Sequence, residues 1–418
     1  MLFLKKFSIL ILFIVLGSCL PTSKEKESNT KQSAIPQEES ASIVNMLQRP
    51  GAPRPPVNPL KQKPGMPSRE MPARSSGGAK KDPDCIDASE RSLSRILDFK
   101  NCSYVIKHIG LAGVAHNAGS SVMFDGKKNA NHFLLKSLGV YDIEPVEKDE
   151  ESNSESLELD DDGTTTFKID GNVLNVNEEN VTVQREFIVH VPDDYDKNFE
   201  YAVVFAFHGH GGNSTQWADS LGDLINEYKF IGVYPKGYQD REAKDDHGNA
   251  AQTSWNLGKE TSTADDIVFV NDIIKKLEPI SSDPSKRFAL GSSNGAALSH
   301  FVAANAKTKI FNGIGTLVSG LIKTTLEEKT EITIPVSGNT YHYGLSEDSI
   351  PLNVVTIFGM SDPIIPYCGG EAKTGTINYS AEETIREWAK LAGCSDYSSK
   401  KVETFESNST SEIDLSQY

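Results

Sequence analysis

Strand-like and helix-like segments alternate along the second half of the chain, and this alternation limits the possible folds more than any other feature. Tyr201-Ala-Val-Val-Phe-Ala-Phe207 is continuously apolar, as expected of a central parallel strand covered on both faces. Further strands are predicted at 181–191, 230–234, 288–290, 314–318 and 354–358, and helices at 215–228, 264–277, 296–304 and 381–391. The pattern predicts an α/β fold with a doubly wound, mostly parallel sheet.

One strand-to-helix turn carries the motif Gly-x-Ser-x-Gly, formed by Gly291, Ser293 and Gly295. A serine on such a sharp turn exposes its Oγ, and the flanking glycines remove Cβ atoms that would collide within the turn. Ser293 is therefore the candidate nucleophile.

Other polar motifs also follow predicted strands, and ligands in an α/β sheet bind beyond the carboxyl ends of the strands. The glycine-rich loop His208-Gly-His-Gly-Gly212 offers backbone N–H groups to a developing oxyanion. We expect His210, Gly211 and Asn294, the residue after the nucleophile, to supply them. Asp362 follows a later strand and is the candidate acid of a Ser…Asp…His order.

These motifs are part of a longer series of motifs, and their order along the chain makes the series specific. The series comprises His208-Gly-His-Gly-Gly212, Tyr234-Pro-Lys-Gly237, Ser254-Trp-Asn256, Asp265-Asp266, Gly291-Ser-Ser-Asn-Gly295, Gly359-Met-Ser-Asp-Pro-Ile-Ile-Pro366 with Gly369-Gly370, and Trp388 followed by Gly393-Cys394. In this series the chain, from about residue 181 to 418, resembles the secreted α/β-hydrolase esterases that include polyhydroxybutyrate depolymerases and feruloyl esterases.

The resemblance implies an α/β-hydrolase-type sheet and hydrolysis of small-molecule or polymer-linked carboxylic esters without a cofactor. Ser293 would attack the acyl carbon, a histidine would accept its proton, and Asp362 would orient that histidine. No Cys-x-x-Cys or paired-histidine spacing indicates a metal site.

The family's histidine follows the acid, beyond the Gly-Cys that Gly393-Cys394 matches, but no histidine follows Asp362 in this chain. One interpretation is a truncated or non-catalytic relative that serves as a surface binding protein. A second is a histidine from elsewhere in the chain, with His342 as the candidate. A third is a circular permutation, in which the missing end lies upstream.

The third interpretation depends on Cys102-Ser-Tyr-Val-Ile-Lys-His-Ile-Gly-Leu-Ala-Gly-Val-Ala-His-Asn117, followed by an amphipathic stretch at 129–139. This order is similar to the family's closing cysteine, strand, catalytic histidine and final helix. A permutation would place His116 beside Ser293, and closely spaced termini make such rearrangements tolerable. The alternative is that His116 belongs to an unrelated small module.

Four cysteines besides Cys19 form an even set, which suggests disulfides in an exported protein. The permutation and the resemblance together imply Cys102 with Cys394, and leave Cys85 with Cys368. Local pairs, Cys85 with Cys102 and Cys368 with Cys394, require no permutation.

Residues 1–18 form a basic pair and a short apolar run, as in a signal peptide. Leu16-Gly-Ser-Cys19 resembles the bacterial lipobox, which implies lipidation of Cys19 and a membrane anchor at the cell surface. The alternative is an ordinary signal peptide; both predict an extracellular protein.

The remaining divisions follow from composition. Residues 19–83 are rich in proline and serine and predict a disordered tether, 84–145 a small cysteine-containing segment, which is the permuted C-terminal part of the hydrolase under the third interpretation, and 146–180 an acidic linker. The resemblance implies that 181–418 is the esterase domain. The net charge of -16 argues against nucleic acid as a partner.

Overall fold

The computed structural model describes residues 85, 93–117, 122–124, 128–148, 157–160, 163–175, 177–239, 252–258, 262–402, 405–407 and 410–413. All of them fall within the unit Arg74–Tyr418. The predicted signal peptide, Cys19 and the tether lie outside the described residues. No helix in the described ranges is long and apolar enough to cross a membrane.

A ten-stranded sheet lies at the centre of the structure. Its strands in chain order are β1 (Ser94–Lys100), β2 (Ile106–Leu111), β3 (Thr164–Leu174), β4 (Asn180–His190), β5 (Ala202–Phe207), β6 (Phe230–Pro235), β7 (Arg287–Ser292), β8 (Gly313–Leu317), β9 (Asn353–Gly359) and β10 (Asp396–Val402). They are ordered β10-β1-β2-β9-β8-β7-β5-β6-β4-β3 in space. The neighbours from β2 to β6 are parallel, and the strands at either end pair antiparallel. The predicted α/β class with a mostly parallel sheet is confirmed.

Helices cover both faces of this sheet. They are α1 (Ala130–Ser137), α2 (Thr215–Tyr228), α3 (Asp266–Lys276), α4 (Asn294–Asn305) and α5 (Ala381–Leu391), with 3₁₀ turns at Val140–Asp142 and Pro284–Lys286. One core cluster joins the sheet to α3, α4 and α5, and a second joins it to α1 and α2. Residues of β5 alternate between the two clusters, which explains why this strand is apolar throughout.

Short strands complete the secondary structure outside the central sheet. They are Val122–Phe124, Lys128–Asn129, Val146–Glu147, Phe199–Glu200, Ile322–Thr325, Glu331–Thr333, Thr340–His342, Gly370–Glu371, Thr376–Asn378, Phe405–Ser407 and Thr410–Ile413.

The segment 84–145 is part of the central sheet and not a separate module. Its strand β2 pairs in parallel with β9, with Ile109 opposite Ile357, and its helix α1 packs on the face shared with α2. Disulfides Cys85–Cys368 and Cys102–Cys394 join it to the C-terminal part of the chain. These are the pairs that the permutation implied, and the local pairs are wrong.

The predicted acidic linker at 146–180 is wrong over its second half. Residues Thr164–Leu174 form β3, which pairs along its whole length with β4, and Thr165 and Val173 are buried. Polar and apolar residues alternate along β3 from Phe167 to Val173, which is the pattern of a strand with one buried face. After the acidic run, the chain therefore re-enters the sheet at residue 164, ahead of the boundary predicted at 181.

Candidate active site

Ser293 lies between β7 and α4, in a backbone conformation that few non-glycine residues adopt. Its φ is 53° and its ψ is -118°. A Cβ at Gly291 would lie 2.3 Å from the Gly295 carbonyl oxygen, and one at Gly295 would lie 2.1 Å from the Phe207 carbonyl oxygen. Only glycine fits at both positions, so the motif is needed for the turn itself and presents Ser293 at the carboxyl edge of the sheet.

His116 contacts both Ser293 and Asp362. Its Nε2 lies 2.7 Å from Ser293 Oγ, and its Nδ1 lies 2.7 Å from Asp362 Oδ2. Because an ionised carboxylate only accepts hydrogen bonds, Nδ1 carries the proton and Nε2 is the acceptor for the serine hydroxyl. The imidazole side chain is 20% exposed, whereas the Asp362 side chain is fully buried.

Two backbone amides orient the other oxygen of Asp362. The N–H groups of Ile364 and Ile365 donate to Oδ1 over 2.8 and 3.0 Å. These two donors were not among the predicted site residues. The Asp-Pro turn after β9 was the local signal for them, because aspartate commonly accepts hydrogen bonds from amides two or three residues ahead.

The adjacency of β2 and β9 brings His116 and Asp362 together, since each residue follows the carboxyl end of its strand. The two loops are joined by hydrogen bonds from the amides of Met360 to the Leu111 carbonyl and of Ser361 to the Val114 carbonyl, both 2.9 Å. A Cβ at Gly359 would lie 2.2 Å from the Ala115 carbonyl oxygen, so glycine permits this close approach.

Gly211 does not have the predicted geometry of an oxyanion-hole donor. Its N–H donates to the Thr253 carbonyl over 2.8 Å, and the Thr253 hydroxyl donates to the Gly212 carbonyl, so this amide is already hydrogen-bonded within the protein. The positive φ of Gly211, 73°, is a backbone conformation that glycine adopts readily.

Asn294 opens α4 directly after Ser293 and is buried, with its side-chain Oδ1 accepting from the Trp255 amide over 2.8 Å. His210 is exposed in the glycine-rich loop. The backbone donor roles of these two residues stay predictions.

His208 is hydrogen-bonded to residues of three of the sequence motifs, and none of these partners is Ser293 or Asp362. Its Nε2 accepts from the Gly237 amide over 2.8 Å and its Nδ1 donates to the Gly209 carbonyl over 2.7 Å. Burial lowers the pKa of His208 to about 4, so the ring is neutral. Trp255 Nε1 donates to the His208 carbonyl over 2.7 Å, which ties the glycine-rich loop to Ser254-Trp-Asn256.

The remaining candidate histidine, His342, lies on the short strand Thr340–His342. Its Nδ1 is 3.1 Å from Glu331 Oε1, and just over half of its side chain is exposed. His116, and not His342, is therefore the histidine in contact with Ser293 and Asp362.

The Asp265-Asp266 pair has a structural role in which both carboxylates accept hydrogen bonds. Asp266 is buried and accepts from Arg185 over 2.8 Å and from the Asn256 amide over 2.6 Å, while Asp265 caps α3 through the Val268 amide. Among the described residues, no group of three or more histidine, cysteine, aspartate or glutamate side chains could hold a metal ion.

The sheet order, the strained serine between β7 and α4, and an acid after β9 define an α/β hydrolase. No family model matches the chain. It is 27% identical over 190 residues to a probable feruloyl esterase C from Aspergillus niger, covering 44% of this chain and 58% of the relative. It is 24% identical over 193 residues to feruloyl esterase C from Emericella nidulans, covering 46% and 60%. Over this part of its length the chain is similar in sequence to feruloyl esterases.

A solved structure of a poly(3-hydroxybutyrate) depolymerase from Bordetella parapertussis is similar at a TM-score of 0.31 and 15% identity, over 55% of this chain and 80% of that one. The chain spans about 58% of the length of the Aspergillus niger relative that it matches.

Proposed function

We propose that this protein is a serine carboxylic ester hydrolase of the feruloyl esterase or polyhydroxybutyrate depolymerase type, acting on small-molecule or polymer-linked esters. The observation that carries the proposal is the hydrogen-bonded series Ser293–His116–Asp362. The feruloyl esterase relatives support an ester as substrate. The non-catalytic alternative depended on a missing histidine, and His116 supplies one within reach of the serine.

The proposed reaction proceeds through an acyl-enzyme. Ser293 Oγ attacks the acyl carbon while His116 Nε2 takes the hydroxyl proton, and Asp362 stabilises the resulting imidazolium through Nδ1–H. The backbone N–H groups of Asn294 and His210 stabilise the tetrahedral oxyanion. The alcohol leaves with the proton from Nε2, and a water molecule then repeats the sequence to release the acid.

We propose further that the protein is exported and anchored at the surface of a bacterial cell through a lipid on Cys19. The apolar run before Leu16-Gly-Ser-Cys19 supports this, as do two disulfides, which persist in oxidising compartments. Radiolabelled palmitate should enter the unaltered protein and not Cys19→Ala; equal labelling of both would contradict the anchor.

The catalytic proposal is tested with a nitrophenyl acetate assay and a fluorophosphonate label. His116→Ala should lower kcat by about 10⁴-fold or more and remove labelling of Ser293, because an unassisted hydroxyl is a poor nucleophile. His342→Ala is the matched control. It should keep both the kcat and the labelling of Ser293, since His342 contacts Glu331.

Circular dichroism must first show that both variants unfold at the same temperature as the unaltered protein. Full turnover in a folded His116→Ala variant would exclude His116 as the base. An unaltered protein that neither turns over nor takes the label would exclude the hydrolase function.

A further inference from the structure

Tyr367 is a buried tyrosine in the loop that carries the candidate acid. Asp362 lies near the start of this loop, and the amides of Ile364 and Ile365 hold its Oδ1. Pro366 comes next, and its ring fixes its φ, so the backbone from Ile365 to Tyr367 has little freedom. The position of Tyr367 therefore limits where the two amide donors can lie.

The Tyr367 side chain lies across strand β2 and reaches three elements. A Cβ at Gly110 would lie 2.5 Å from the Tyr367 hydroxyl oxygen, so glycine permits this crossing. The hydroxyl is 2.9 Å from His108 Nε2, and His108 Nδ1 is 2.7 Å from the Thr356 hydroxyl on β9. On its other side the hydroxyl is 3.4 Å from Glu382 Oε1 on α5. The series Thr356–His108–Tyr367–Glu382 thus joins the acid loop to β2, β9 and α5.

The charges at one end of this series fix the direction of its hydrogen bonds. Glu382 pairs with Arg95 and with Arg386, both over 3.0 Å, so its carboxylate accepts hydrogen bonds and donates none. Burial lowers the pKa of His108 to about 3, so the neutral ring carries one proton. Tyr367 therefore donates to Glu382 and accepts from His108 Nε2–H. These donors and acceptors fit one position of the Tyr367 hydroxyl.

The series connects the acid to the strand that leads to His116. His108 lies on β2, whereas Tyr367 belongs to the loop of Asp362, so their hydrogen bond spans the two parts of the chain that must meet for the base to contact the acid. Tyr367 is 3% exposed, which places it out of reach of a substrate. Any effect of its hydroxyl on the reaction must pass through the position of Asp362.

We propose that Tyr367 is a positioning residue for the acid: its hydrogen-bonded hydroxyl keeps the Asp362 carboxylate in line with His116 Nδ1. The inference rests on the proposed ester hydrolysis by Ser293. Loss of the hydroxyl interrupts the series at its centre, so the acid loop gains freedom while the groups that face the substrate stay the same. A misplacement of about 1 Å in such a site lowers the rate by about 10²-fold.

Tyr367→Phe tests this proposal, because it removes the hydroxyl and keeps the ring that packs against Phe358. With p-nitrophenyl acetate, kcat should fall by about 10- to 100-fold while KM stays within about twofold, since acylation and deacylation both need the oriented base.

Proton NMR supplies a second readout that a loss of stability would not move. The proton on His116 Nδ1 lies in a short hydrogen bond to a carboxylate and should resonate far downfield in the unaltered protein. In Tyr367→Phe this signal should shift or broaden, because the carboxylate is held less firmly.

Tyr201→Phe is the matched control. Tyr201 is also buried, and its hydroxyl accepts from the Asp196 amide over 3.0 Å, but it precedes β5 at the amino ends of the parallel strands, opposite the site. Its kcat, KM and downfield signal should equal those of the unaltered protein, even if its unfolding midpoint is lower.

A second variant applies if Tyr367→Phe loses its cooperative unfolding transition. Thr356→Val removes the hydroxyl beside His108 Nδ1 with nearly the same side-chain shape, and it should also lower kcat with KM unchanged. Thr356→Ser keeps a hydroxyl at this position and should restore kcat.

An unchanged kcat in folded Tyr367→Phe and Thr356→Val would overturn the positioning role, while Ser293-dependent hydrolysis still stood. Equal losses of kcat in Tyr367→Phe and Tyr201→Phe would overturn it as well. Absence of both hydrolysis and fluorophosphonate labelling in the unaltered protein would instead overturn the proposed function and this inference with it.

Discussion

At the scale of single residues, the site depends on backbone positions where a side chain cannot fit. A Cβ added at Gly291, Gly295 or Gly359 would collide with a backbone carbonyl oxygen, and the first two of these glycines flank Ser293 in the turn that holds it at a φ of 53°. The strain of a non-glycine residue in this region is of the order of 1–3 kcal/mol, and it persists because the neighbouring glycines let β7 and α4 close on it.

Gly295→Ala should lower the free energy of unfolding by about 3 kcal/mol or more, because its Cβ would meet the Phe207 carbonyl oxygen at 2.1 Å and backbone cannot move aside cheaply. Gly338→Ala is the control. Gly338 has a φ of +71° with nothing near its Cβ, so only the conformational cost of about 1 kcal/mol applies. Urea titrations measure both, and equal losses would contradict the steric argument.

At the scale of elements, β1 and β2 complete the sheet that the C-terminal strands begin. β10 pairs with β1 antiparallel, with Val402 opposite Ser94, so a hairpin turn would span these two positions. Continuing from there, Cys102, β2, His116 and α1 follow in the order that the resemblance requires. We propose that the domain is circularly permuted at this hairpin. A permutation would also limit how much of a relative can be aligned in chain order.

A rearranged chain should therefore fold. It would run from residue 157 to Val402, continue through a short glycine-rich turn into Ser94, and end at Lys148. Because β1 and β10 are already neighbours, we expect the same far-ultraviolet circular dichroism and fluorophosphonate labelling of Ser293.

The rearranged chain lacks Cys85, so Cys368→Ser is included in it and in a control that keeps residues 94–402 in their natural order. Loss of the cooperative unfolding transition in the rearranged chain alone would count against the permutation.

At the scale of the whole molecule, three buried neutral histidines couple the stability of the fold to pH. Burial lowers the pKa of His108 and of His300 to about 3, and that of His208 to about 4. Each ring is held by hydrogen bonds between different elements: His108 contacts Thr356 and Tyr367, and His300 contacts Thr316 and Trp388.

In the unfolded chain these three rings take up protons below the ordinary histidine pKa of 6.5. In the folded protein they take up protons only when the pH falls to about 4 or 3. The stabilisation is therefore complete above pH 6.5 and is lost as the pH falls. At pH 5, each histidine should lower the free energy of unfolding by on the order of 2 kcal/mol relative to its value above pH 6.5.

Urea unfolding at pH 7, 6 and 5 should show this loss, and His300→Gln should show a smaller decrease over the same interval. A free energy of unfolding that stays constant from pH 7 to pH 5 would contradict the effect of the buried rings.

The sequence by itself determined the features that depend on neighbouring residues. The apolar periodicity predicted α2 and α5 with their observed bounds, and most strands within a residue or two, because burial on one face imposes the period locally. Gly-x-Ser-x-Gly and the Asp-Pro turn singled out Ser293 and Asp362 for the same reason. Only a family resemblance connected His116 to them.

The tertiary structure alone decided what depends on distant parts of the chain. The pairing of β2 with β9 brings His116 to Asp362 across 246 positions of sequence, and no local pattern encodes that adjacency. The direction of the Gly211 amide depends on Thr253, and the place of β3 in the sheet depends on β4. Local propensity selects helices and strands, but the hydrogen bonds and packing between them select which loops meet, and the site is formed where they meet.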